Sequence, residues 1–85
     1  MIDMEHVKLV TGLIVHEYKQ ARKKHAPMRG VHEGYAVILE EMDELWDAIK
    51  RDDFNHARIE AMQTAAMLIA FLVEIKEVQN DDPRV

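Results

Sequence analysis

The sequence predicts an all-α protein, three main helices that assemble into an oligomeric helical bundle, and three observations predict it. Only three glycines and two prolines punctuate 85 residues, so long runs of good helix formers stay unbroken, and no stretch of useful length alternates with the period of a strand. Hydrophobic residues make up 48% of the chain, too many for a disordered segment. A chain of this length forms one domain at most, here residues 1–85, and is marginal alone unless something adds to its core. With no cysteine, neither a disulfide nor a thiolate metal site is open to it. Self-association is the remaining common solution.

The first helix is predicted over about 3–25, where Met4, Val7, Ile14, Tyr18 and Ala21 recur at helical steps. Gly12 weakens it locally. Pro27 stops it, and Gly30 marks the following turn. The second helix is predicted over about 32–51. Tyr35, Ile38, Met42, Leu45 and Ile49 follow a 3-4-3-4 spacing, the seam of a helix that packs on another, and Leu39 and Trp46 widen the stripe. Asp52 or Asp53 then offers an N-cap. The third helix is predicted over about 54–79. Its centre, Ala61 to Val73, is apolar nearly all the way round, as in a helix buried on every side. Two other short helices can hardly cover it, so a homodimer or homotetramer with a shared core is expected. Residues 80–85, with Pro83, read as a frayed tail.

Charge narrows the function. A formal net charge of −5 argues against a nucleic-acid polymer as partner. No apolar run approaches the roughly 18 residues of a membrane span. Asp3 and Glu5 replace the basic start of a signal peptide, so a cytoplasmic location is the default expectation. The basic residues are unevenly spread: Lys19, Arg22, Lys23, Lys24 and Arg29 share one stretch, with no acid between Tyr18 and His32. That stretch reads either as a local anion site for phosphates or as a solvated helix end whose cations complement the helix dipole.

The acids carry the more specific signal. The second helix holds Glu33, Glu40, Glu41, Asp43, Glu44 and Asp47. At about 100° per residue, Glu40, Glu44 and Asp47 point roughly away from the apolar stripe, whereas Glu41 borders it. Glu41 and Glu44 are three apart and so neighbours on the helix surface, where two carboxylates repel unless a cation lies between them. On the third helix Glu60 and Gln63 form a second polar pair in apolar surroundings, with His56 one turn earlier. A carboxylate there needs a partner, because burying a bare charge is costly. A divalent cation shared with Glu41 and Glu44 would supply one, and hard ions such as Mg²⁺ favour such oxygens and bridge to phosphates. The competing reading is a solvated acidic face, with Glu60 paired to Arg58, Arg51 or His56.

The run His32-Glu33-Gly34-Tyr35-Ala36-Val37-Ile38-Leu39-Glu40-Glu41, continuing through Met42-Asp43-Glu44-Leu45-Trp46 and followed after a turn by Glu60-Ala61-Met62-Gln63, resembles the MazG-like all-α nucleotide pyrophosphohydrolases, in particular their short bacterial and phage members. The likeness covers about residues 32–73. That family carries an ExxE pair on one helix and an ExxD pair on a later one. The resemblance implies a Mg²⁺-dependent hydrolase (Mn²⁺ being an alternative ion) that converts a nucleoside triphosphate, NTP or dNTP, to the monophosphate and pyrophosphate. A metal-activated water would attack the α-phosphorus. Glu41, Glu44 and Glu60 would be catalytic metal ligands and Gln63 the fourth ligand position, with Glu40 and His56 as auxiliary groups and Lys19, Arg22, Lys23 and Arg29 as phosphate-binding groups. The family's dimers and tetramers agree with the burial argument.

Gln63 departs from the pattern, standing where the family has Asp. Its amide oxygen can ligate Mg²⁺ but brings no charge. The alternative expectation is therefore a non-catalytic MazG-like protein that binds a nucleotide or a partner. A third is a purely structural bundle, a di-iron site being a minor variant because the Glu-x-x-His pair it needs is missing. Trp46, inside the apolar stripe, reads as a core or interface residue before a base-stacking one. The histidines show no HExxH spacing, so zinc is not expected.

Overall fold

Two aspartates start two of the helices. Asp3 accepts the His6 backbone N–H at 3.0 Å, and Asp53 accepts that of His56 at 3.1 Å. Each satisfies an amide that has no partner within its helix, worth about 1 kcal/mol. The computed structural model describes residues 1–75, in which α1 spans Met4–Lys24, α2 Val31–Lys50 and α3 Phe54–Glu74. Every helix end in this range except the last falls within one residue of its sequence expectation. α3 leaves the helical conformation at Ile75, short of the expected 79. The buried Ile75 packs there in the core with Met28 and Ala70. Residues 76–79 of the expected helix, and the expected tail at 80–85, lie outside the described residues.

Only Arg51, Asp52 and Asp53 separate α2 from α3. Asp52 turns the chain with φ of 58°, a left-handed conformation that aspartate tolerates better than most residues. The two helices therefore return on each other as a hairpin. α3 also packs against α1, whereas no Cα of α1 comes within 8 Å of one in α2 among the described residues. α1 and α2 thus splay apart over α3, and a cleft opens between them.

The side of α2 turned to α3 is not its apolar stripe. Buried Gly34 and Ala48 and half-buried Glu41 fall seven residues apart on it. At Gly34 a Cβ atom would lie 2.8 Å from both the Phe71 ring and the Ile75 Cδ1, so the helices approach through a missing side chain. Gly34→Val should overpack this contact and cost about 2 kcal/mol, lowering the melting temperature by on the order of 10 °C in a thermal scan. The expected 3-4-3-4 seam divides accordingly. Ile38 and Leu45 are half-buried, whereas Tyr35, Leu39, Met42, Trp46 and Ile49 are exposed.

As the sequence suggests, the other two helices of the single chain do not cover α3 on every side. Thr64, Ala66 and Ala70 are buried, but Leu68, Leu72 and Val73 are open. No large side chain among the described residues is fully buried.

A buried carboxylate closes the α1 end. Glu74 pairs with Arg22, accepts the Tyr18 hydroxyl at 2.9 Å and accepts the Met28 backbone N–H at 2.9 Å. One side chain of α3 thereby ties down α1 and the loop into α2. Glu74→Ala strands those donors and the Arg22 charge. An unpaired buried charge is costly, so urea unfolding should show a loss of about 3 kcal/mol.

Candidate metal centre

Hairpin register brings the acids of the two helices together. Glu41 and Glu44 sit one turn apart on α2, and Glu60 faces them from the second turn of α3. One carboxylate oxygen from each lies within 4.8 Å of the other two. The sequence-predicted triad is therefore a spatial one.

The three groups differ in environment. Glu60 is 6% exposed, Glu41 is half-buried and Glu44 faces solvent. Glu60 Oε1 meets His56 Nε2 at 3.0 Å. Among the described residues the other oxygen, Oε2, is buried with no hydrogen-bond partner, and so is Glu41 Oε2. Buried carboxylate oxygens are seldom left unpaired, and two at one spot are the chemistry a cation completes. Burial first, then the charges of Glu44 and Glu60, push the Glu41 carboxyl up to about 7. Glu44 is raised as well, first by the close approach of its carboxyl group to that of Glu60, then by burial and the neighbouring charges. In both, neighbouring carboxylates add to burial, and His56 offsets only part of the rise at Glu44.

His56 is positioned twice, its backbone by Asp53 and its ring by Glu60. It is half-exposed and stands behind Glu60, as the orienting partner of a metal ligand does. His56→Ala should weaken Mn²⁺ binding by roughly 10–100-fold, read as the dissociation constant by electron paramagnetic resonance. His56→Gln should recover part of that loss.

The cleft between α1 and α2 has a volume of about 440 Å³, within the range of small-molecule sites. Glu40 and Glu41 line its α2 side, and Gln63, Ala66 and Met67 of α3 form its floor. Gln63, one turn beyond Glu60, thus borders the same space. On the α1 side stand Glu17, Arg22, Lys24 and His25.

The structure redistributes the phosphate-binding candidates. Arg22 borders the cleft but is paired with Glu74. Arg29 grips Glu33 through Nη2 at 2.6 Å and Nε at 3.1 Å and does not line the cleft. Lys19 and Lys23 are exposed on α1 away from the cleft. Lys24, part of the basic stretch but not of the phosphate-binding set that the resemblance implies, borders the cleft together with His25. Which cations of a run face inward depends on where the helix ends and the chain turns, and residue type does not reveal that. Trp46 lies outside the cleft, exposed, with Lys50 Nζ 5.7 Å from its ring centroid.

Comparison with known family models, curated proteins and solved structures gives no match to this chain. No helix among the described residues is long and apolar enough to cross a membrane.

Proposed function

We propose that this protein is a Mg²⁺-dependent nucleoside triphosphate pyrophosphohydrolase of the MazG-like type, working as a homodimer or homotetramer. The observation that carries the reading is the convergence of Glu41, Glu44 and Glu60 across two helices, with a buried, unpartnered oxygen on Glu60 and another on Glu41. A structural ion cluster would have placed a cationic side chain there. Among the described residues the one basic side chain paired with Glu60 is His56, and it occupies the opposite oxygen.

Glu41, Glu44 and Glu60 would hold Mg²⁺. Bound there, the ion would polarise phosphate oxygens and lower the pKa of a water molecule in line with the α-phosphorus. The chain's own groups supply the rest. Glu60 is fixed by burial and by His56, which leaves its other carboxylate oxygen for the ion. Gln63 offers a neutral amide oxygen where the family has Asp, and Glu40, which lines the same cleft from α2, would add the charge the amide lacks. Lys24, on the facing side, is placed to neutralise phosphate oxygens as a point charge. Water enters the α-phosphoanhydride bond, and nucleoside monophosphate and pyrophosphate leave.

The test is pyrophosphate release from a panel of NTPs and dNTPs in Mg²⁺. Turnover well above that of a Glu41→Gln, Glu44→Gln double variant is expected, and equal rates in the two proteins would refute the assignment.

Gln63 favours one second reading, a protein of the same fold that binds a nucleotide without hydrolysing it. That reading expects nucleotides to raise the melting temperature with no pyrophosphate formed, and Gln63→Asp to bring turnover. Robust hydrolysis by the wild type excludes it.

A further inference from the structure

The exposed side of α2 calls for an occupant. Tyr35, Leu39, Met42, Trp46 and Ile49 alternate steps of four and three, the spacing of a coiled-coil seam. All five are open, Tyr35 at 64% and Trp46 at 57%. Around the helix they lie about a third of a turn from the Gly34, Glu41 and Ala48 face that meets α3. Past Tyr35 the apolar surface runs on into a groove bordered by Ile38, Leu68 and Phe71. Side chains of this size and openness present roughly 600 Å² of apolar surface. That is at the upper end of what a monomer's largest patch shows and approaches the ~800 Å² that each partner brings to a standard interface.

We infer that this stripe is the contact between two copies of the chain, paired antiparallel about a twofold axis at Met42. The inference deepens the self-association included in the proposed function and needs neither metal nor nucleotide. Two features select a second copy as the occupant. The first is self-complementarity, which a twofold contact requires because residue i meets j and j meets i. With Met42 on the axis, Tyr35 lies opposite Ile49 of the other copy and Leu39 within one residue of Trp46, so each aromatic meets an aliphatic residue. The second is the state of the core, which without a partner holds no fully buried large side chain among the described residues. Antiparallel pairing also sets the helix dipoles favourably. It leaves Glu41 and Glu44 on another face of α2, so the acid cluster stays accessible.

Light scattering during size exclusion gives the mass of the full-length protein, and single cysteine variants give the register, since the chain has no cysteine of its own. The wild type is expected to run as a dimer, or as a tetramer built from such dimers. Trp46→Glu is expected to raise the dissociation constant at least tenfold. Because the core depends on the contact, a charge at Trp46 also threatens the fold, and the decisive readout is cross-linking. Under mild oxidation Met42→Cys should form a covalent dimer, and Tyr35→Cys should do so only when mixed with Ile49→Cys. A monomeric wild type at tens of micromolar overturns the inference. So does a Met42→Cys protein that stays uncross-linked while oligomeric. A Tyr35→Cys protein that links to itself as readily as Met42→Cys overturns the antiparallel arrangement. In each of these cases the nucleotide chemistry remains to be judged by pyrophosphate release alone.

Discussion

Glu60→Gln should lower Mg²⁺-dependent pyrophosphate release by at least about 100-fold while making the metal-free protein more stable. The two effects share one cause. Glu60 contributes the α3 ligand to the acid cluster, and its charge is among those that raise Glu41 and Glu44. Replacing it with an amide of the same shape removes repulsion from the empty site and removes the charge that would hold the ion. Activity and stability trade in this way where a functional site stores unfavourable electrostatics. A purely structural role predicts the reverse sign, because losing the His56–Glu60 pair would then destabilise the fold. The gain should be on the order of 1 kcal/mol, visible as a melting temperature raised by a few degrees in EDTA. In excess Mg²⁺ the order of the two proteins should invert. A ligand at a hundredfold excess over its dissociation constant adds about 2.7 kcal/mol, and Glu60→Gln forfeits most of it.

The second large effect is on pH dependence. A carboxyl raised from its ordinary value to about 7 binds a proton more tightly in the folded protein than in the unfolded chain. Between roughly pH 4.5 and 7 the folded state therefore holds more protons, and stability must fall as pH rises through that window. Glu44 acts in the same direction. Solvent around the half-buried Glu41 screens the interaction, so the loss should be about 1–2 kcal/mol. This is opposite to the usual behaviour of a paired carboxylate, which stabilises as it ionises. Mg²⁺ should cancel the loss above pH 7, because the cation supplies the charge that the proton supplied at lower pH. Binding should release protons, and affinity should rise about tenfold per pH unit below 7 for one displaced proton. Melting curves at pH 5 and 8 with and without Mg²⁺ test the first point, and calorimetric titration in two buffers of different ionisation enthalpy tests the second. A metal-free protein more stable at pH 8 than at pH 5 would contradict the electrostatic account of the cluster.

The helices were legible in the sequence because their signals are local. Asp3 and Asp53 cap, Pro27 interrupts, and the apolar residues repeat at steps of three and four. The triad was legible for a related reason. Glu41 and Glu44 share a helix surface by spacing alone, and a three-residue turn leaves α3 no choice but to run back along α2, bringing Glu60 within reach. What remained hidden depends on choices between chains or between faces. The stripe through Tyr35, Leu39 and Met42 is the most apolar side of α2, yet α3 packs on the side with Gly34 and Ala48. Small residues allow close approach there, and hydrophobicity alone does not rank a glycine above a tyrosine as a contact. The role of Glu74 was equally invisible. A glutamate near a helix end reads as solvated until Tyr18, Arg22 and the Met28 amide are found around it. Nor could the basic stretch show that Arg22 and Arg29 are already paired while Lys24 turns toward the cleft.

A crystal soaked in Mn²⁺ tests the central claim most directly. The account predicts an anomalous peak between α2 and α3, ligated by oxygens of Glu41, Glu44 and Glu60, with the free Glu60 oxygen rather than the one held by His56 on the ion. Carboxylates that carry no peak at millimolar Mn²⁺, or a peak elsewhere on the acidic surface with Glu60 Oε2 still unpartnered, would contradict it.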